Sequence, residues 1–385
     1  LKNNLLQAED QAYVDASPTL ADVYINEQWR TILVCAEGNG GDTVFALDVT
    51  DPYNPSFLWE FADPDLFRSR SSPTVGLGRI VLGGHPQWVA IFVSGQSSGS
   101  DTDPSLYIVS VEDGSLIERV YLDAAEESGK GGVPSGQPAI ADSDGNGYID
   151  RLYIGTDKGY MYKVNLPDDP TSGFSTISNC VINEDNTAEQ GGTVASGQMF
   201  HPIYASPAIT IDNTMTPTGD IDYNIKVFFG TGDSPYYDEN INYAESGTKY
   251  HFFVYVDNEA KGMCGISPYL DWFLELEAGE RIWASAYSAA GQIYFGTSTA
   301  ETEDPCEATV EGANEGKLYV YTSSGKKVAS FETGNIITTP IVEDQHLYFR
   351  TSGGLSSIGG DQYNNKAKVT GTGKSEVISW EEISD

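Results

Sequence analysis

Leu152-Tyr-Ile-Gly-Thr-Asp-Lys-Gly-Tyr-Met-Tyr-Lys-Val-Asn165 decides the fold. Two runs of aromatic and β-branched residues flank Asp157-Lys-Gly159, so the stretch reads as two antiparallel strands around a tight turn. Gly159 suits the turn because glycine takes positive φ without steric cost. The phrase apolar-Gly-Thr recurs at Phe229-Gly-Thr231 and Phe295-Gly-Thr297. Runs equivalent to the strand after the turn are Val44–Asp48, Leu106–Ser110, Phe252–Tyr255 and Leu318–Tyr321. A further strand follows in Gly114–Val120 and Gly325–Phe331.

Upstream of each such pair lies an anchor, a small residue and usually Ser-Pro opening an apolar strand. Anchors stand at Ala16-Ser-Pro-Thr19, Ser71-Ser-Pro-Thr-Val75, Gly136-Gln-Pro-Ala-Ile140, Ala205-Ser-Pro-Ala-Ile209 and Thr338-Thr-Pro-Ile-Val342, with a weaker copy at Trp283-Ala-Ser-Ala286. Successive anchors are 55, 65, 69, 79 and 54 residues apart, a spacing that fits propeller blades carrying loop insertions. Four short strands per repeat predict an all-β chain, a β-propeller of six or seven four-stranded blades. The whole of 1–385 is expected to form this one domain. Either a blade preceding Tyr13 is missing, or Val377-Ile-Ser-Trp380 closes the ring against the N-terminal segment. Polar insertions at 96–105, 123–135, 167–200, 232–249 and 299–315 are the places where binding is expected.

Composition narrows the function. The 385 residues include 41 Gly, 18 Pro and 23 Tyr, as expected of many short strands and turns. Lys and Arg total 21 against 56 Asp and Glu, a net charge of −35. Such a surface repels phosphate backbones and anionic membranes and concentrates divalent cations, so nucleic acid is excluded as a partner. It also suits solubility in a salty or extracellular medium. No apolar run approaches the ~20 residues of a membrane helix, and membrane insertion is not expected. Leu1 opens no basic, apolar signal segment, so the chain reads as a mature or excised piece.

The anchor at Gly136–Ile140 leads into Asp142-Ser-Asp-Gly-Asn-Gly-Tyr-Ile-Asp150. Oxygen-bearing residues fall at loop positions one, three, five and nine with glycine at six, the ligand spacing of an EF-hand-type calcium loop. Asp142, Asp144 and Asn146 would offer side-chain oxygens, Tyr148 its backbone carbonyl, and Asp150 a direct or water-mediated contact. Position twelve is Tyr153 instead of glutamate, and a strand follows where an EF-hand has a helix. Carboxylates this close repel one another unless a cation neutralises them, which favours Ca2+ over a plain Asp/Asn/Gly turn. A structural ion is expected, because all ligands come from one loop. The acidic loops Asp101–Asp103 and Asp233–Glu239 either hold a second ion, contact a partner or are simply solvated.

Nothing nominates a catalytic group. His85, His201, His251 and His346 are scattered and read as surface or packing residues. There is no His-Glu-x-x-His, Gly-x-Ser-x-Gly or phosphate-cradling glycine loop. Cys35, Cys180, Cys264 and Cys306 lie too far apart for a zinc site, and an even count leans toward disulfides in an oxidising compartment, with buried thiols as the alternative. Three pairings are open.

Several segments together carry a resemblance: Trp29-Arg-Thr-Ile-Leu-Val34, Gly38-Asn-Gly-Gly41, Val44-Phe-Ala-Leu-Asp-Val-Thr-Asp-Pro52, Leu106-Tyr-Ile-Val109, the 142–150 loop with its tail to Leu166, Phe228-Phe-Gly-Thr-Gly232, Gly279-Glu-Arg-Ile282 and Asp304-Pro-Cys306. The chain resembles, over nearly its whole length, the C-terminal propeller of the PilY family of type IV pilus tip and biogenesis proteins. The resemblance implies a calcium site on Asp142, Asp144, Asn146 and Asp150, tied to pilus extension versus retraction. It also implies a disulfide half at Asp304-Pro-Cys306, with Cys264 as the partner of Cys306. The function implied is that of a non-enzymatic calcium-binding module, exported to the pilus tip or outer surface. Its implied partners are minor pilins, a surface or host receptor and an N-terminal region of the same protein. The adhesive or von Willebrand A-like region of the family is not in this sequence, and the 171–200 and 299–315 insertions depart from its pattern. A quinone-dependent periplasmic dehydrogenase is the main rival, since its repeats read similarly. Such enzymes resemble one another in a vicinal Cys-Cys and eight blades, which this sequence lacks. A lectin-like or scaffold propeller is the third reading.

Overall fold

Period-two alternation of apolar residues builds six antiparallel sheets, described by a computed structural model over residues 14, 16–66, 76–82, 85–95, 105–122, 132–167, 177–183, 201–233, 248–265, 268–299, 316–333, 338–343, 346–351 and 354–359. The first sheet is a meander of β1 (Thr19–Ile25), β2 (Gln28–Ala36), β3 (Thr43–Asp48) and β4 (Ser56–Ala62). The second is β5 (Gly76–Leu82), β6 (His85–Val93), β7 (Ser105–Ser110) and β8 (Leu116–Tyr121). The third is β9 (Pro134–Ala141), β10 (Arg151–Thr156), β11 (Met161–Asn165) and β12 (Ser178–Val181). The fourth begins with β13 (Ala208–Ile211), is interrupted by a two-stranded ribbon of β14 (Thr214–Met215) and β15 (Ile221–Asp222), and continues as β16 (Ile225–Gly230), β17 (His251–Asp257) and β18 (Tyr269–Glu275). The fifth is β19 (Tyr287–Ala289), β20 (Gln292–Gly296), β21 (Lys317–Thr322) and β22 (Lys327–Glu332). The sixth has three strands among the described residues, β23 (Ile341–Glu343), β24 (His346–Thr351) and β25 (Gly354–Gly359).

Each sheet follows one repeat of the sequence. The first strands open within a few residues of the anchors, apart from Ser71–Val75, which lies outside the described residues, as do Tyr13 and Val377–Trp380. The expected second, third and fourth strands fall where the apolar runs placed them. Most of the expected insertions lie largely outside the described residues. Among the described residues no helix is long and apolar enough to cross a membrane.

The recurring phrases have local causes. In apolar-Gly-Thr, the threonine N–H of Thr231 donates to His251 O at 2.9 Å, and its hydroxyl accepts the His251 N–H at 2.9 Å. Thr297 repeats this with Lys317, at 2.8 and 3.2 Å, so the threonine prolongs the ladder between second and third strands. The glycine leaves room: a Cβ on Gly230 would meet the Ile282 side chain at 2.4 Å. In the Ala-Leu-Asp-Val-Thr-Asp-Pro run, buried Asp48 accepts from the Thr50 N–H and hydroxyl at 3.0 and 2.6 Å and from Arg30 Nη1 at 2.5 Å. That motif is a structural turn.

The chain forms two compact units. The first holds the first three sheets together with 211–225 and 257–269. Within it, Val23, Val34 and Val44 pack with Phe92, Tyr107 and Val109, joining the first sheet to the second. Ile91, Ile108 and Val120 pack with Leu152, Ile154 and Val164, joining the second to the third. In the other unit Phe228, Phe252 and Val254 meet Ile293, Phe295 and Tyr319, and Tyr294, Leu318 and Val320 meet Leu347 and Phe349. Each such buried side chain contributes about 1.5–3 kcal/mol.

A tryptophan latch recurs in both units. Trp59 of β4 donates its indole N–H to Val111 O at 2.8 Å and covers Gly114, in the turn between β7 and β8. Trp272 of β18 donates to Ser323 O at 3.2 Å and covers Gly325, in the turn between β21 and β22. Both glycines have positive φ, and a Cβ at either would run into the indole.

Candidate metal centre

The loop from Asp142 to Asp150 joins β9 to β10, and its ends are pinned by the Asp150 N–H donating to Ala141 O at 2.9 Å. Asp142 organises the interior: its carboxylate accepts the N–H groups of Gly145 at 2.8 Å, Asn146 at 3.0 Å and Gly147 at 2.6 Å. Gly145 and Gly147 take positive φ of 76° and 87°, which lets the backbone turn sharply around that carboxylate. Asn146 Oδ1 accepts the Tyr148 N–H at 2.9 Å. Arg79 of β5 holds the outer side of the loop, donating to Gly147 O at 3.2 Å and lying 4.8 Å from the Tyr148 ring centroid.

Asp142, Asp144 and Asp150 each bring a carboxylate oxygen within 4.8 Å of the others. Asp150 is 2% exposed. One of its oxygens accepts from Ser143 N at 3.0 Å and Ser143 Oγ at 2.6 Å, while Oδ1 has no hydrogen-bond donor. Burial pushes its carboxyl up to about 6, against the Ser143 hydrogen bond and the charges of Lys261 and Arg151. Burial also raises Asp142, against the loop N–H groups. A clustered, partly buried carboxylate set with an orphaned oxygen fits a hard divalent cation with oxygen ligands. Asp142, Asp144, Asn146, Asp150 and the Tyr148 carbonyl are the groups that would hold it.

The structure adds partners that local spacing does not reveal. In β10 and β11, Leu152, Ile154, Tyr162 and Val164 face the core, so Arg151, Tyr153, Lys163 and Asn165 share the opposite face. Register places Tyr153 beside Lys163 and Lys163 beside Cys180 of β12. Across this polar face runs the strap 257–265. Its Asp257 accepts from Arg151 at 2.8 Å, the Tyr153 hydroxyl at 2.7 Å and Lys163 at 3.1 Å. Glu259 accepts from Lys163 at 2.8 Å, and its backbone carbonyl accepts from Arg151 at 2.6 Å. Tyr153, which replaces the glutamate of position twelve, is therefore a strap anchor and stays out of the loop. Lys261 reaches the loop itself, with Nζ 2.6 Å from Asp144 Oδ2 and 3.4 Å from Asp150 Oδ2.

The strap ends in a disulfide. Cys264 is bonded to Cys180, with Cα atoms 5.7 Å apart. This corrects the expected Cys264–Cys306 bridge. Cys180 lies in the row of strap anchors on β12, and Asn165 Nδ2 donates to Cys264 Sγ and Met263 O at 3.3 and 3.1 Å, which delivers the strap cysteine to it. Cys306 lies outside the described residues. Cys35 is a buried thiol, pushed up by burial.

Of the two acidic loops, 101–103 lies outside the described residues, as does 234–239. Asp233 is buried, paired with Arg281 at 3.2 Å and accepting from the Tyr250 hydroxyl. His251 packs as expected, stacked on Phe253 with centroids 5.4 Å apart.

Residues 3–268 match the family model of the PilY1 beta-propeller domain. The type IV pilus biogenesis factor PilY1 of Pseudomonas aeruginosa is 36% identical over 173 residues, covering 42% of this chain and 14% of that protein. A PilY1 homolog of Xylella fastidiosa is 35% identical over 166 residues, 40% of this chain and 11% of its own length. The match thus spans about a seventh or less of these relatives. Among solved structures, the C-terminal domain of Pseudomonas aeruginosa PilY1 is similar in fold, with TM-score 0.63 at 18% identity over 90% of this chain and 85% of that one. The six sheets are accordingly blades of a β-propeller, and the chain belongs to the PilY1 beta-propeller domain family.

Proposed function

We propose that this propeller is a calcium-binding, non-enzymatic module of an exported type IV pilus tip protein, acting in pilus biogenesis, in the balance of extension and retraction, or in surface adhesion. The observation that carries the reading is the loop between β9 and β10, where Asp142, Asp144 and Asp150 converge within 4.8 Å in a chain of this family. A bound Ca2+ would neutralise that cluster and fix the loop against β10. Minor pilins and a surface or host receptor are the partners, together with the rest of the same protein.

The test is genetic. Asp144→Ala with Asp150→Ala in the chromosomal gene of the source bacterium should reduce surface pili or twitching motility while the protein is still exported. Unchanged piliation and motility would contradict the role of the site. Turnover of an alcohol or aldose with added quinone would contradict the non-catalytic part.

A further inference from the structure

Lys261 lies where the proposed cation would neutralise the carboxylates. Its ammonium bridges Asp144 and Asp150 from the strap, although the loop that contains them is more than a hundred residues earlier in the chain. The lysine is held there from both sides. Asp257 and Glu259 fix the strap to the buried Arg151 and Lys163, and Cys264 fixes it by the bond to Cys180. Between these anchors, Met263 N donates to Ala260 O at 3.2 Å and Gly262 takes a positive φ of 73°, a tight turn that presents Lys261 to the loop.

The charges of the same network point the same way. The connected ion pairs join Arg151, Lys163 and Lys261 to Asp150, Asp257, Glu259 and Asp144, with Asp142 beside them. Among these groups the carboxylates outnumber the cations, so withdrawal of Lys261 leaves a negative cluster for a divalent ion to neutralise. A divalent ion on Asp144 and Asp150 would compete with the ammonium that lies 2.6 Å from Asp144 Oδ2, because the two cations would share a carboxylate and repel each other.

Resting on the calcium reading above, we propose that Lys261 is a tethered counter-ion that competes with the divalent cation. It holds the carboxylates together in the cation-free state and sets the affinity of the site. Cation binding displaces the ammonium toward solvent. The backbone on either side is fixed by the disulfide and the buried ion pairs, so the displacement is taken up by the lysine stem and the Ala260–Met263 turn. The bound cation is thereby reported at the protein surface, on the strap.

The test uses CaCl2 as the probe and the whole chain. Calorimetric titration of wild type, Lys261→Met and Lys261→Arg is combined with mass-spectrometric measurement of Lys261 acylation in wild type, with and without Ca2+. Removing the charge while keeping the apolar stem should tighten Ca2+ binding about ten-fold. The arginine variant should stay near wild type, and Ca2+ should speed Lys261 acylation. Binding by Lys261→Met alone would overturn the displacement, because the native ammonium would then exclude Ca2+ and the calcium reading would fail for the native chain. Equal affinity in wild type and Lys261→Met, with unchanged acylation, would overturn the role of Lys261 and leave the calcium site standing. No heat of binding in any of the three would remove both.

Discussion

Replacing Asp257 with alanine tests whether the strap holds together the blade that carries the Asp142–Asp150 loop. Asp257 is fully buried and accepts from Arg151, Lys163, the Tyr153 hydroxyl and the Glu259 N–H at 2.7–3.1 Å. Its loss leaves two buried cations short of a counter-charge and a buried tyrosine hydroxyl without its acceptor. Breaking a buried pair typically costs about 3–5 kcal/mol, and an unsatisfied hydroxyl about 1–3 kcal/mol. Glu259 still faces Lys163 at 2.8 Å, and the Glu259 carbonyl still accepts from Arg151 at 2.6 Å, so the two losses do not add in full. We expect a loss of about 4 kcal/mol, a large share of the ~5–15 kcal/mol of a typical domain. Urea unfolding followed by tryptophan fluorescence measures it. Arg30→Ala is the comparison, because the Arg30–Asp48 pair has side-chain exposures of 32% and 10% and its loss should cost less, about 1 kcal/mol.

The acid limb of the same experiment has a definite sign. Burial works to raise the Asp257 carboxyl, but Arg151 and Lys163 outweigh it and hold it below the ordinary carboxylate range. Its contribution is therefore present above the unfolded value of about 3.9 and is lost as pH falls through the lower folded value. Asp257→Ala should depress stability across neutral pH and remove that part of the acid sensitivity. A loss under about 1 kcal/mol at neutral pH, no greater than that of Arg30→Ala, would refute the claim that the buried pairs tie the strap down.

Three further outcomes follow from the same geometry. Replacing Cys180 and Cys264 together with serine opens a closed loop of 84 residues and should cost about 2–4 kcal/mol, read as a lower urea midpoint. His251 is held neutral, pushed down to about 4 by burial and by neighbouring His201, so its protonation opposes folding. Stability should be intact above about pH 6.5 and fall by up to about 3 kcal/mol as pH drops toward 4, and His251→Phe should flatten that window in pH-dependent melts. Gly147→Ala places a Cβ 2.8 Å from Arg79 Nη2 at a positive φ, and should cost about 1–2 kcal/mol in thermal unfolding, with weakened Ca2+ binding.

The blades were legible because their signal is local. Anchor, apolar-Gly-Thr and hairpin glycine all act within one repeat, and the strands fall where those phrases put them. The Asp142–Asp150 spacing was legible for the same reason, since Asp142 organises N–H groups only three to five residues away. The partners of the site were not, because the strap arrives from a different repeat. Arg151 and Lys163 were the one signal within reach, charged residues in strands otherwise apolar and buried, which demand buried counter-charges. The cysteine pairing failed on the same point. A motif resemblance joined Cys264 to Cys306, whereas strand register and the path of the strap bring Cys180 to it.

The most direct measurement is calorimetric titration of the whole chain with CaCl2, wild type beside Asp144→Ala with Asp150→Ala. The wild type should bind one Ca2+ per chain with a Kd in the range of about micromolar to millimolar and melt at a higher temperature with Ca2+, and the double variant should lose both. Absence of binding and of any Ca2+ effect on melting in the wild type, or equal binding in the double variant, would contradict the calcium reading.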